Sequence, residues 1–196
     1  MQVLEVAPEI KEIGAGIQIL PNSSRVLQHW GLEKALTPHM TTPSVCNFVG
    51  WKGNHISSLD FAESERGYPG CWYRDFHRAD LHRCLVDRAV ELGVEIICNA
   101  KIIDIVVSPG GATSTAVAED GRRWRGDLVI GADGVFGKLT ESLLGRSDPP
   151  VKTGDLAYRL LLSTEEMRKD PELEPLVTSP QVNYWLGPDA HAGKTS

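Results

Sequence analysis

Four short stretches of this sequence hold residues able to bind a ligand or do chemistry. Glu5 follows the apolar run Gln2-Val3-Leu4, the place where a nucleotide-binding sheet sets a carboxylate whose two oxygens accept from both ribose hydroxyls. A strand-end carboxylate in water fits that residue equally well. Gly14-Ala15-Gly16 is a small-residue loop that lets backbone approach a flat ligand closely, or simply turns. It follows Glu5 instead of preceding it and lacks a third glycine, so it is not a dinucleotide fingerprint. Tyr73 to Leu81 places Arg74, Arg78 and His77 just ahead of a helix start, where guanidinium forks and free amides suit a pyrophosphate; a solvated basic rim paired with Asp75, Asp80 and Asp87 is the alternative. In Gly131-Ala132-Asp133-Gly134 an apolar strand runs into an acid held between glycines, which can accept from a ribose hydroxyl, cap the next helix, or do both.

Other chemistries find little support. His29, His39, His55 and His82 have no cysteine or carboxylate partner at metal-ligand spacing, so no metal is expected, and neither a Ser-His-Asp order nor Gly-x-Ser-x-Gly occurs. Net charge is −6 with a pI near 5.5, which argues against a nucleic-acid partner. Cys46, Cys71, Cys84 and Cys98 show no Cys-x-x-Cys spacing and no secretory leader is legible, so the expected location is the cytoplasm. No apolar run approaches the length of a membrane span.

The elements that must position these residues follow from periodicity. Gln2 to Val6 predicts a buried strand. Pro21 onward predicts a helix with Val26, Leu27 and Trp30 on one face, ending near Gly31. Residues 40–72 predict short strands of peripheral sheet. Leu81, Cys84, Leu85, Ala89 and Leu92 predict a helix over 80–92 stopped by Gly93. Strands are expected at 94–97 and 102–107, an antiparallel turn at Asp120-Gly121, and a buried strand at 127–131 leading into a short helix that ends at Gly145. Beyond Asp148-Pro149-Pro150, strands at 155–162 and 181–186 flank a small polar helix near Glu165 to Lys169.

As a set, Val3-Leu4-Glu5, the segment from Gly14 to Ser24, His77-Arg78-Ala79-Asp80-Leu81, Gly131-Ala132-Asp133-Gly134 and Trp185-Leu186-Gly187-Pro188 with His191 resemble the FAD-dependent aromatic monooxygenases of the salicylate hydroxylase-like class. The resemblance runs in order from residue 2 to about 192. It implies an α/β chain: part of a Rossmann-like FAD-binding domain of the glutathione-reductase type over residues 1–150, then part of a mixed-sheet substrate domain over 151–196. It also implies FAD as cofactor, NADH or NADPH as co-substrate, O2, and transfer of one oxygen atom to a phenolic or other small aromatic ring. By that resemblance Glu5 holds the adenosine ribose, Ala15 and Gly16 lie near the flavin, Arg78 contacts FAD, and Asp133 with Gly134 serves FAD and NAD(P)H. Arg159 supplies a cation that orients and activates substrate, and His191 is a candidate for proton transfer or substrate contact.

The chain departs from the pattern. A strand with Gly-x-Gly-x-x-Gly ahead of Glu5, a later Gly-Asp motif and the long helix after it do not occur, and Gly137 and Thr140 stand where Ser and Arg are usual. Two functional readings follow: a monooxygenase, or a truncated, inactive hydroxylase fragment that does not hold FAD firmly.

Overall fold

The computed structural model describes residues 1–11, 16–137 and 139–194. In chain order the strands are β1 (Gln2–Leu4), β2 (Gly16–Ile19), β3 (Val45–Gly50), β4 (His55–Asp60), β5 (Arg74–His77), β6 (Glu95–Ile97), β7 (Ile102–Val107), β8 (Ser114–Ala118), β9 (Arg123–Gly126), β10 (Val182–Leu186) and β11 (His191–Lys194). The α-helices are α1 (Pro21–His29), α2 (Glu33–Leu36), α3 (Phe61–Arg66), α4 (Arg78–Glu91), α5 (Leu139–Leu144), α6 (Thr164–Met167) and α7 (Glu174–Thr178). Backbone contacts divide the chain into two compact units, one of Met1–Ile10 with Leu92–Tyr158, the other of Lys11–Glu91 with Arg159–Ser196.

In the first unit β1 and β6 pair in parallel, Val3 opposite Ile96, and β7, β8 and β9 form an antiparallel meander. The Asp120-Gly121 turn joins β8 to β9 as its chemistry predicts, with Gly121 at φ +88°. Two expectations fail here. The first strand forms but is not buried, since Val3 is 41% and Val6 60% exposed. No strand forms over 127–131: Leu128 and Ile130 are each 76% exposed and the segment joins no ladder with β1 or β6. A parallel strand is stable only with paired edges and covered faces, and neither is present for these residues among those described. The same reason accounts for residues 155–162, which were expected as a strand and instead form no ladder, with Leu156 wholly exposed.

The second unit holds both apolar clusters. A four-stranded mixed sheet runs in the order β11-β10-β3-β4, with β10 parallel to β3 and the other pairs antiparallel. Residues 45–60 thus share one sheet with 182–194. A separate ribbon pairs β2 with β5. Under it α1, α2 and α4 enclose Ile19, Leu27, Leu32, Leu36, Trp72, Phe76, Leu81 and Cys84.

The periodicity argument holds for α4, which starts at Arg78 and buries Leu81 and Cys84, with Gly93 at φ +79° behind it. Helix α1 begins on Pro21, whose fixed φ and missing N–H suit the first turn, and Gly31 follows at φ +75°. It buries Ser24 and Leu27, three apart, and leaves Val26 and Trp30 about half exposed, so the expected apolar face is narrower than its composition suggests. Ser24 Oγ donates to Pro21 O at 3.0 Å and accepts the Trp72 N–H at 3.1 Å, fixing the start of the helix to the loop before β5. Ser24→Ala strands a buried amide, and a loss of about 1–3 kcal/mol is expected. A lowered urea midpoint at unchanged slope is the measurement that checks it.

Candidate functional site

Glu5 lies just past β1, where its N–H donates to Ile97 O at 2.9 Å and its carbonyl accepts from Ala100 N at 2.8 Å. Those bonds fix the backbone. The carboxylate is partly buried, with Oε1 accepting the Ala7 N–H at 2.8 Å and Oε2 given no protein partner among the described residues. An oxygen so held suits a sugar hydroxyl.

Asp133 and Gly134 belong to the same unit and are exposed. Asp133 Oδ2 accepts the Leu139 N–H at 3.0 Å, so the capping role is realised at the start of α5. Gly137 is packed so tightly against this carboxylate that a Cβ there would lie 2.2 Å from Asp133 Cγ. A serine at 137 therefore cannot coexist with this Asp133 conformation, which ties the departure at 137 to the cap. Asp133→Ala should weaken the cap by about 1 kcal/mol, and amide exchange at Leu139 and the next residues of α5 should quicken roughly fivefold.

In the other unit β2–β5 pairing sets Gly16 opposite His77, next to Arg78, the first residue of α4. Two of the expected cofactor residues are thereby neighbours. Gly14 and Ala15 lie outside the described residues. Arg74, in contrast, turns to protein partners: it pairs with Glu65 and sits 5.8 Å from the Trp72 ring centroid. Asp80 pairs with Arg83 at 2.8 Å and faces His39 at 3.8 Å. Part of the basic run is thus a paired rim.

Arg159 is exposed within the irregular segment and makes no hydrogen bond or ion pair with described residues. His191 opens β11, exposed, opposite Leu186 across a tight turn. The turn closes through Gly187 N to Ala190 O at 2.8 Å, and a Cβ on Gly187 would meet the Trp51 ring at 2.9 Å.

Sequence reasoning missed an apolar, half-open pocket of about 230 Å³ in the second unit. Cys46 and Leu59 of the mixed sheet form part of its wall with Val182 and Tyr184, and Phe61 and Tyr73 form another. Phe61 stacks on Tyr73 at 4.0 Å between centroids, and Phe48 on Tyr184 at 5.6 Å. Burial raises the Cys46 thiol, which keeps it protonated and unreactive. Burial first, then the charge and hydrogen bond of Asp75, push the Tyr73 phenol far above its ordinary range. Asp75, in β5 two residues beyond Tyr73, is 2% exposed. Neither Arg159 nor His191 lines this cavity.

By descent the chain belongs to the family of FAD-dependent monooxygenases. It is 36% identical over 195 residues to the FAD-dependent monooxygenase OpS4 of Beauveria bassiana, covering 97% of this chain and 44% of that protein. It is 34% identical over 170 residues to 3-hydroxybenzoate 6-hydroxylase 1 of Aquipseudomonas alcaligenes, covering 86% and 42%. Among solved structures, CtdE in complex with FAD and a substrate shares the fold at a TM-score of 0.78 and 20% identity, over 98% of this chain and 47% of that one. The tetrameric form of 2-methyl-3-hydroxypyridine-5-carboxylic acid oxygenase matches at 0.60 and 27%, over 72% and 35%. The chain spans a little under half the length of the relatives it matches. No family model matches it. Among the described residues no helix is long and apolar enough to cross a membrane.

Proposed function

We propose that this chain carries part of an FAD-dependent hydroxylase that uses NADH or NADPH and O2 to oxygenate a phenolic or other small aromatic substrate. The observation that carries the proposal is the similarity along 97% of the chain to an FAD-dependent monooxygenase, in a chain whose mixed sheet carries an apolar, half-open pocket. The residues present fit the cofactor chemically: a carboxylate oxygen at Glu5 suits a sugar hydroxyl, and a cation at Arg78 suits a phosphate. When bound, FAD would supply the oxygen-activating chemistry with electrons from NAD(P)H.

In this reading Glu5 binds the adenosine ribose, Ala15 and Gly16 border the flavin, and Arg78 meets its phosphates. Asp133 and Gly134 serve the cofactor end, while Arg159 orients the ring and favours its phenolate, with His191 as substrate or proton contact. Residues 1–150 belong to the FAD-binding domain, with 40–72 a peripheral part whose strands join those of 182–194, and 151–196 to the substrate domain, in a cytoplasmic enzyme without a nucleic-acid partner.

A chimera in which this chain replaces the matching stretch of OpS4 tests the reading. It is expected to purify with FAD and to oxidise NAD(P)H faster when a phenol is added. A flavin-free chimera, or one indifferent to aromatic compounds, contradicts it. One observation favours a second reading, in which the chain by itself is inactive and does not hold FAD firmly. Leu128, Ile130 and Phe136, which flank Asp133, are 76%, 76% and 84% exposed, so the Asp-Gly turn here stands on no sheet.

A further inference from the structure

Resting on the hydroxylase reading, we infer that Gly137 is a positioning residue: it decides whether the Asp133 carboxylate serves the protein or FAD, and in this chain it turns that carboxylate onto α5. The backbone makes the arrangement. Gly134, at φ +75°, reverses the chain, and the Gly137 N–H closes the turn by donating to Gly134 O at 3.1 Å. Residue 137 is thereby brought against the side chain of residue 133. A Cβ at 137 would lie within 2.6 Å of all three atoms of the Asp133 carboxyl group, so the carboxylate fills the place a side chain there would take. From that place Oδ2 accepts the Leu139 N–H at 3.0 Å. Gly131 does not share the role, since a Cβ there stays 3.6 Å from Oδ1.

Two uses of one carboxylate then compete. A ligand hydroxyl that takes Oδ2 displaces the Leu139 N–H, and one that draws the carboxylate outward breaks the same bond. A cap of this kind favours the folded-back position about fivefold, and a ligand that must break it binds more weakly by that factor. A side chain at 137 removes the competitor without altering Asp133 chemically, because a Cβ and the folded-back carboxylate cannot share one space. Gly137 itself lies outside the positive-φ region, so alanine there meets Asp133 and no backbone strain.

The test combines amide exchange at Leu139, read by NMR, with titration of the whole chain with FAD, read by flavin fluorescence, for Gly137→Ala, Asp133→Ala and the double variant. Both single variants are expected to quicken exchange at Leu139 about fivefold, since each removes the cap. On FAD they should part. Gly137→Ala tightens binding about fivefold, whereas Asp133→Ala, which removes the carboxylate altogether, does not tighten it; a merely structural part for residue 137 would move the two alike. Adding Gly137→Ala to Asp133→Ala should change neither readout, which separates the carboxylate from any direct effect of the new methyl group. Exchange at Leu139 unmoved by Gly137→Ala overturns the inference. So does FAD binding no tighter in that variant, an absence of measurable binding included, or tightening that persists without Asp133. Neither readout needs turnover, so a failure of the hydroxylase reading in the OpS4 chimera is a separate result.

Discussion

Titrated with FAD, this chain alone should show an affinity weaker than about 1 μM, less favourable than about −8 kcal/mol, with flavin fluorescence as the readout. The FAD pyrophosphate carries two charges, and the strongest neutral cradle for them is a glycine turn feeding backbone N–H groups at a helix N-terminus. The sequence contains no Gly-x-Gly-x-x-Gly. What it offers instead is one carboxylate oxygen at Glu5, the Arg78 cation, and an Asp133 whose carboxylate already accepts from Leu139. Hydroxyl contacts of this kind orient a bound cofactor but contribute about 0.5–1.5 kcal/mol each. Submicromolar binding by the chain alone would show that these contacts suffice.

The second large effect concerns Arg159. In the OpS4 chimera, Arg159→Ala should lower substrate-dependent hydroxylation about a hundredfold, the scale of losing a charge that stabilises the transition state. FAD content should not change. Arg159→Lys should fall between the two, because it keeps the charge and loses the planar fork. In the structure Arg159 is exposed and has no partner among the described residues, so nothing of the scaffold should be lost with it. An unaltered rate, or loss of FAD with the alanine variant, would place Arg159 outside substrate activation.

Local signals in the sequence carried as far as local contacts carry the fold. The three- and four-residue steps from Leu81 to Ala89 specified α4, and Asp120-Gly121 specified the β8–β9 turn, because a helix face and a tight turn are each decided within a few residues. The apolar runs at 127–131 and 155–162 misled for the opposite reason. An apolar run becomes a strand only when other strands supply its hydrogen bonds, and none of the described residues does so here.

The cavity was illegible on similar grounds. Its sheet wall depends on Val182 lying opposite Cys46 across a parallel pairing of segments more than a hundred residues apart, and no short-range pattern encodes that register. Tyr73 and Asp75 were in view, but within a run whose arginines drew the reading toward phosphate. Glu5 and Asp133 stood out by their places after apolar runs and Arg159 and His191 only through the resemblance, and the structure adds side-chain bonds for Glu5 and Asp133.

The most direct test of the central claim is isotopic. The OpS4 chimera would be supplied with NAD(P)H, the phenol that stimulates its NAD(P)H oxidation and ¹⁸O₂, and the ring product analysed by mass spectrometry against the NAD(P)H consumed. If the chain forms part of an aromatic hydroxylase, the product carries one new ring oxygen derived from ¹⁸O₂, and its yield follows NAD(P)H oxidation. NAD(P)H oxidation that yields only reduced oxygen species, or a ring oxygen derived from water, would contradict the assignment.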